Sequence, residues 1–393
     1  MTPAARAQAA IEVLDEIIAA ARDGGPAADT LIARYFKARR YAGAKDRRAV
    51  RDLVYRAVRR TGERPVSGRA ALIGLAREDG DVMALFDGSV RGPAAITAGE
   101  ATSAGSAIPA WIDPHLSPLI DATERAALLE RAPLDLRVNR LRALSLGVAA
   151  AFPEASQVAG APDALRLPEG TAIETTRAWA DGLVEVQDAG SQMIVAVCGA
   201  APGMTVVDLC AGAGGKTLAL AAAMEGKGRL IAADTVLSRL NRLPPRAERA
   251  GADFIELLLL DQSREVEALA PLSGVADIVL VDAPCSGTGT WRRNPEARWR
   301  LTQARLDRLV AEQARILDLS ATVVASGGTL VYAVCSLVEA EGPGQVAAFL
   351  SRSVGWTVDK IMSPPGRTSG AGVMLTPAHD GTDGFFMVRL KKA

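Results

Sequence analysis

The stretch Val279-Leu280-Val281-Asp282-Ala283-Pro284-Cys285-Ser286-Gly287-Thr288-Gly289 runs from β-branched and apolar residues into an acid, a proline and a thiol, then straight into turn formers. A short apolar run bounded in this way reads as a buried strand. As a strand of a parallel sheet it carries Asp282 and Cys285 to the carboxyl edge, where open α/β folds bind ligands.

Outward from this strand the pattern repeats. Upstream, Thr205–Cys210 reads as a strand, Thr217–Met224 as a helix, Arg229–Asp234 as a second strand and Phe254–Asp261 as a third. The quoted run, from Asp277 to Asp282, is the fourth. Downstream, Leu301–Ala325 has the spacing of a long helix, Gly328–Cys335 is a fifth strand and Gly384–Leu390 a late one. Alternating β and α units predict an α/β fold with a doubly wound, mostly parallel, Rossmann-like sheet.

The turn after the first strand is Cys210-Ala211-Gly212-Ala213-Gly214-Gly215-Lys216-Thr217. Glycines here let the backbone turn tightly and approach a ligand at a helix N-terminus. A phosphate-cradling P-loop needs glycine where Cys210 stands, and a dinucleotide fingerprint needs it where Thr217 stands. What remains suits a nucleoside cofactor without a pyrophosphate. Asp234 ends the second strand, where an acid can accept hydrogen bonds from ribose hydroxyls, and Asp261 ends the third, within reach of a base. Any one strand-end Asp is equally a turn or helix cap. With Asp208 and Asp282 there are four at successive strand ends, and S-adenosylmethionine is the cofactor this implies.

Cys335 ends the fifth strand as Cys285 follows the fourth, so a parallel sheet brings them to one edge although about fifty residues separate them. Two thiols at a methyl-transfer site answer a particular difficulty. Carbon 5 of a pyrimidine is too weak a nucleophile until a thiolate adds to carbon 6. A base then removes the carbon-5 proton and the thiol leaves, while an acid such as Asp282 hydrogen-bonds the ring as charge develops. Cys198 and Cys210 read as small buried hydrophobes. The four cysteines form no Cys-x-x-Cys pair and the chain has two histidines, so no metal site is expected, and a reducing cytoplasm is the expected compartment.

The 393 residues allow two or three domains, and the absence of a long apolar run argues against a membrane span. No secretion signal is read between Met1 and Glu12. Helical spacing marks Ala4–Arg22, stopped by Gly24-Gly25-Pro26, then a helix through Leu31 and Phe36, a third from Ala44 through Val58, and pieces at Ala70–Arg77 and Asp81–Phe86. Net charge is zero, yet basic residues crowd the segment from Arg34 to Arg69, and Arg292, Arg293, Arg298 and Arg300 form a second cluster. Such patches suit a polyanion, as they also suit a solvated helix face. Pro93–Pro118 reads as a connection and Pro118–Ala132 as a helix. Strands at Leu134–Asn139, Ala164–Leu167 and Leu183–Gln187 around a helix at Ser145–Phe152 predict a small α+β insert.

Taken together these residues resemble the Sun/Fmu type of RNA cytosine-C5 methyltransferase. The match lies in Asp208-Leu209-Cys210-Ala211 with Gly214-Gly215-Lys216-Thr217, in Asp282 to Gly289, in Arg293-Asn294-Pro295-Glu296-Ala297-Arg298-Trp299, in Tyr332 to Ser336, and in Val186-Gln187-Asp188 and Asp383-Gly384-Phe385-Phe386 at the two ends of the domain. The resemblance implies Cys335 as nucleophile, Cys285 in product release, Asp282 in base recognition, and a cofactor held by residues 210–216 with Asp234, Asp261 and Asp282. It implies residues 1–130 as a NusB-like RNA-binding helical domain, 131–186 as a small RNA-binding insert and 187–393 as the S-adenosylmethionine-dependent methyltransferase domain. The partner it implies is RNA, 16S ribosomal RNA first and transfer RNA as the alternative. A monomer is the default expectation, and the sequence leads to no membrane or metal partner. A non-catalytic RNA-binding or ribosome-assembly factor is the other reading, which the intact thiols disfavour. Three positions depart from the family pattern: Ala213 stands where proline is usual, Val334 replaces threonine before Cys335, and Pro244-Pro245 is expected to break the helix after Asp234.

Overall fold

The structure, a computed structural model, describes residues 1–168, 170–361 and 365–393, with the side chains of 145 and 146 outside the description. The chain forms two compact units, Met1–Arg131 with Thr290–Arg305, and Ala132–Gly289 with Leu306–Ala393.

The first unit is helical. α1 (Pro3–Asp23) is opened by Thr2, whose hydroxyl accepts from the Ala5 N–H, and closed by Gly24 in the left-handed region. α2 (Ala28–Ala38), α3 (Ala44–Arg60) and α4 (Gly68–Ala76) follow. Their apolar stripes meet in a core that includes Val13, Leu14, Ile17, Phe36, Val54 and Leu72, which Trp299 joins from the Thr290–Arg305 segment. The helix expected over Pro118–Ala132 is shorter, Ala122–Ala127, because the Asp121 carboxylate accepts from the Glu124 N–H and so sets its start.

Two members of the second Arg cluster are turned inward in this unit. Arg298 is buried, and its guanidinium donates to the carbonyls of Val58, Arg59, Pro295 and Ala107. Arg300 donates to Ala20, Gly25 and Pro26 in the same way. These two cations tie helix ends together and are not free for a polyanion, whereas Lys37, Arg40, Arg47 and Arg48 line an exposed groove of about 550 Å³.

In the second unit, β1 (Leu134–Val138), β2 (Ser156–Val158), β3 (Ala161–Leu167) and β4 (Val184–Val186) form an antiparallel sheet in the order β2-β3-β1-β4. The main sheet holds β5 (Thr205–Asp208), β6 (Arg229–Asp234), β7 (Ile255–Leu259), β8 (Ala276–Asp282) and β9 (Val324–Val334), parallel in the order β7-β6-β5-β8-β9. β10 (Trp356–Val358), β11 (Arg367–Ser369), β12 (Gly372–Leu375) and β13 (Phe385–Lys392) extend it antiparallel beyond β9. The expected strands are thus present in an α/β doubly wound sheet; most of the antiparallel wing, with strands of three or four residues, had no readable periodicity. Val206, Leu230, Val279, Leu280 and Val331 are fully buried, as central strands covered on both faces require. The chain reverses its winding between β5 and β8, and that switch point is where such sheets bind ligands.

Candidate active site

The loop after β5 is held open by glycine. Gly212 and Gly214 have φ of 57° and 83°, a region that side chains enter at a cost of about 1–2 kcal/mol. A β carbon on Gly214 would also run into Leu243, while one on Gly212 or Gly215 would meet nothing within 4 Å, so open space lies against the turn. Asp234, at the end of β6, accepts from the Gly212 N–H at 2.7 Å and, through its other oxygen, from the Val236 N–H at 2.7 Å. Thr217, the residue that spoils a dinucleotide fingerprint, donates its hydroxyl to Asp208 at 2.7 Å and locks the helix Gly215–Ala223 to β5. Burial raises the Asp208 carboxyl to about 7.

Lys216 and Asp282 meet at 2.6 Å, linking the glycine loop to the end of β8. Burial alone would lower the Lys216 ammonium, but the charge and hydrogen bond of Asp282 outweigh it and hold it above its ordinary value. Phe385 sets its ring 5.7 Å from the same ammonium.

β8 and β9 run in register with Asp282 opposite Ala333, so the segments leaving them emerge together. Two short loops then bring Cys285 and Cys335 to 3.3 Å, sulfur to sulfur. Contact with Cys335, then burial, pushes the Cys285 thiol well above its ordinary value. The loops are stitched by backbone: the Gly289 N–H donates to the Cys335 carbonyl at 3.1 Å and the Gly384 N–H to the Gly289 carbonyl at 2.8 Å. Gly289 lies so near Gly384 that no side chain fits. Cys198 and Cys210 stand apart, both raised by burial, the first to about 12. Asp261 lies two residues beyond β7 and is exposed; its carboxylate accepts from the backbone and hydroxyl of Ser263 as a turn cap does.

The helix after β6 is in two pieces, Leu237–Leu240 and Leu243–Ala250, with Pro244 and Pro245 in the first turn of the second, where proline is tolerated. That second piece places Arg246 on the Ala213 carbonyl, with Glu185 holding the guanidinium at 2.9 Å. A loop that lacks the usual proline is thereby clamped from outside. Arg246 escaped the sequence reading, as did Glu341 and Gln313, which lie beneath the thiols. Only Gln313 left a signal, as a polar residue in the buried stripe Leu306, Gln313, Ile316, Leu317 and Ser320.

The doubly wound sheet with a glycine turn at its switch point is a Rossmann-like fold, one that S-adenosylmethionine-dependent methyltransferases share with dinucleotide-binding proteins. The crystal structure of PH0851 has this fold over 98% of this chain and 99% of that one, at TM-score 0.78 and 22% identity. A methyltransferase homolog protein from Pyrococcus horikoshii has it over 71% of this chain and 92% of that one, at TM-score 0.62 and 24% identity. Residues 196–391, just under half of this chain, match the family described as 16S rRNA methyltransferase RsmB/F. A probable ribosomal RNA small subunit methyltransferase B of Synechocystis sp. is 37% identical over 270 residues, 66% of this chain and 60% of that protein. The chain spans 60% of the length of the first curated relatives it matches.

Proposed function

We propose that the chain is an S-adenosylmethionine-dependent RNA methyltransferase that makes 5-methylcytosine in 16S ribosomal RNA, acting as a monomer in the cytoplasm. The observation that carries this reading is the pair of sulfurs 3.3 Å apart at neighbouring strand ends, next to the Asp282–Lys216 pair. Residues 1–130 and 131–186 hold RNA in this reading, and 187–393 perform the transfer.

The glycine turn fits a nucleoside cofactor: open space lies against Gly212 and Gly215, and the Asp234 carboxylate stands at the adjacent strand end for ribose hydroxyls. Cys210, Ala211, Ala213, Gly214 and Lys216 complete that wall, with Asp261 toward the base and Asp282 toward the reacting end. Bound there, the cofactor supplies a methyl group on a sulfonium. The chain supplies the rest. A cytosine leaves its stack and enters the site. The Cys335 thiolate adds to carbon 6, which makes carbon 5 nucleophilic. Asp282, oriented by Lys216, accepts a hydrogen bond from the exocyclic amine. After transfer a base takes the carbon-5 proton, the freed electron pair re-forms the carbon 5–carbon 6 double bond and the bond to Cys335 breaks, its electrons leaving on that sulfur. Cys285, which keeps its proton because of its contact with Cys335 and its burial, hydrogen-bonds the departing thiolate.

Replacing Cys335 with Ala is expected to abolish transfer of labelled methyl, and Cys285→Ala to accumulate a covalent protein–RNA adduct, seen as a retarded band in a denaturing gel. Full activity of the first variant would remove Cys335 as nucleophile. Bisulfite sequencing of ribosomal and transfer RNA from cells with and without the gene tests the substrate. Loss of a signal in 16S RNA supports the reading, loss only in transfer RNA moves the substrate there, and no loss together with no heat of cofactor binding leaves a non-catalytic factor.

A further inference from the structure

Beneath the thiol pair lies a fully buried acid, Glu341. One carboxylate oxygen accepts from the Ser286 N–H at 2.8 Å and from the Gln313 side-chain amide at 2.9 Å. The other accepts from the Ser336 hydroxyl at 2.5 Å and from the Ser286 hydroxyl. Ser286 directly follows Cys285, and Ser336 directly follows Cys335. Gln313 donates as well to the carbonyl of Pro284, the residue before Cys285, at 2.9 Å. The backbone carbonyl of Glu341 in turn accepts from the Tyr332 hydroxyl at 2.7 Å, three residues before Cys335 on β9.

Four donors meet two oxygens, which uses the acceptor capacity of a carboxylate completely. All four are neutral groups. A carboxylate in such a place costs more to bury than an apolar side chain of its size, so stability alone does not account for it. What the arrangement supplies is geometry: one rigid group grips the residues flanking both thiols, from loops about fifty residues apart in sequence. With its hydrogen bonds complete, such a network favours a single arrangement of everything attached to it.

We propose that Glu341 is the positioning residue of the thiol pair, fixing the separation and direction of Cys285 and Cys335 without touching substrate, with Gln313 as its buttress. The proposal rests on the reading of both cysteines as reacting groups, and its test separates the two ideas.

The reporter is disulfide formation between Cys285 and Cys335 driven by diamide. The two thiols give up two protons and two electrons, an S–S bond forms, and the N=N bond of diamide is reduced to the hydrazine. The linked peptides are quantified by mass spectrometry. The rate is taken relative to alkylation of each thiol by iodoacetamide, so that a change in acidity is not read as a change in distance. In Glu341→Ala the relative rate is expected to fall by about 10-fold or more, because thiols that wander lose effective concentration. Methyl transfer should lose about 100-fold in kcat with KM for RNA little changed, as a displacement of about 1 Å at a reacting group implies.

In Glu341→Gln the amide oxygen still serves the Ser286 N–H and Gln313 while its NH2 faces two hydroxyls able to turn and accept. It should regain part of both losses. Gln313→Leu, which reaches the thiols only through Glu341 and Pro284, should show a smaller loss of the same kind. If Glu341→Ala does not fold, the other two variants decide. A disulfide rate equal to wild type in Glu341→Gln and Gln313→Leu, or a loss explained entirely by lowered unfolding temperature, overturns the proposal. Slowed disulfide formation in variants of a wild-type protein that transfers no methyl would leave the positioning intact and sink the catalytic reading alone.

Discussion

Asp208 shows how one side chain can pull against the fold it serves. Burial holds its carboxyl at about 7 against an ordinary value near 4, and its one described hydrogen bond, from Thr217, is not enough to offset that burial. An acid raised by folding contributes stability that is complete below its unfolded value and is lost as pH climbs through its folded one. The window here is therefore roughly pH 4 to 7. Between pH 5 and pH 8 the wild-type protein should lose roughly 2 kcal/mol through this group. Asp208→Asn keeps an oxygen for Thr217 and removes the titration, so urea unfolding at the two pH values should show a smaller difference in the variant. An unchanged difference would place the effect elsewhere. The cysteines divide in the same physical terms. Cys198 and Cys210 are raised by burial and behave as apolar groups, while Cys285 is raised first by a sulfur neighbour. Cys198 is fully buried, as a cysteine is by default, whereas Cys210 is half-buried in the glycine turn. The Lys216–Asp282 pair was not legible in the sequence, because Lys216 opens the helix after β5 while Asp282 ends β8, and only the sheet order β5-β8 makes them neighbours.

The glycine turn and the helix that follows β6 act as one element. Gly214 must be glycine twice over, for its φ of 83° and for the nearness of Leu243. Gly214→Ala should lower the unfolding temperature by several degrees, as a loss of a few kcal/mol in a protein of this size implies, measured by calorimetry. Arg246 secures the loop at Ala213, donating to its carbonyl while Glu185 and the break in the helix between Leu240 and Leu243 fix its place. A charged donor to a carbonyl contributes about 1.5 kcal/mol, so Arg246→Ala should weaken S-adenosylmethionine binding about 10-fold, read by titration calorimetry. Binding equal to wild type would show that the loop stands without its clamp. The sequence announced a broken helix through Pro244-Pro245. It did not announce that the second piece would be aimed at the loop that lacks a proline, because that aim comes from packing between elements.

Across the whole chain, basic residues meet two fates. Arg298 and Arg300 spend their guanidinium groups on backbone carbonyls of the helical unit, and burial lowers Arg298 to about 10. Lys37, Arg40 and Arg48 are exposed along one groove and form no ion pair among the described residues. Replacing these three with Ala should weaken RNA binding and reduce the slope of log affinity against log salt by about 2, if each meets one phosphate of a single strand. Arg298→Met should leave that slope alone and lower the unfolding temperature instead. Filter binding over a salt series tests the first expectation, and an unchanged slope would remove the groove as a phosphate contact. What the sequence by itself determined is whatever a local pattern decides. Apolar runs became the parallel strands, and the acid, glycine and thiol at their ends had to arrive on one edge because parallel strands all finish there. What only the tertiary structure decided is which polar side chains meet: Glu341 under both thiols, Arg246 on Ala213, Arg298 turned inward. A hydrogen bond or a buried charge depends on a partner far along the chain, and its direction is set by packing that no local periodicity encodes.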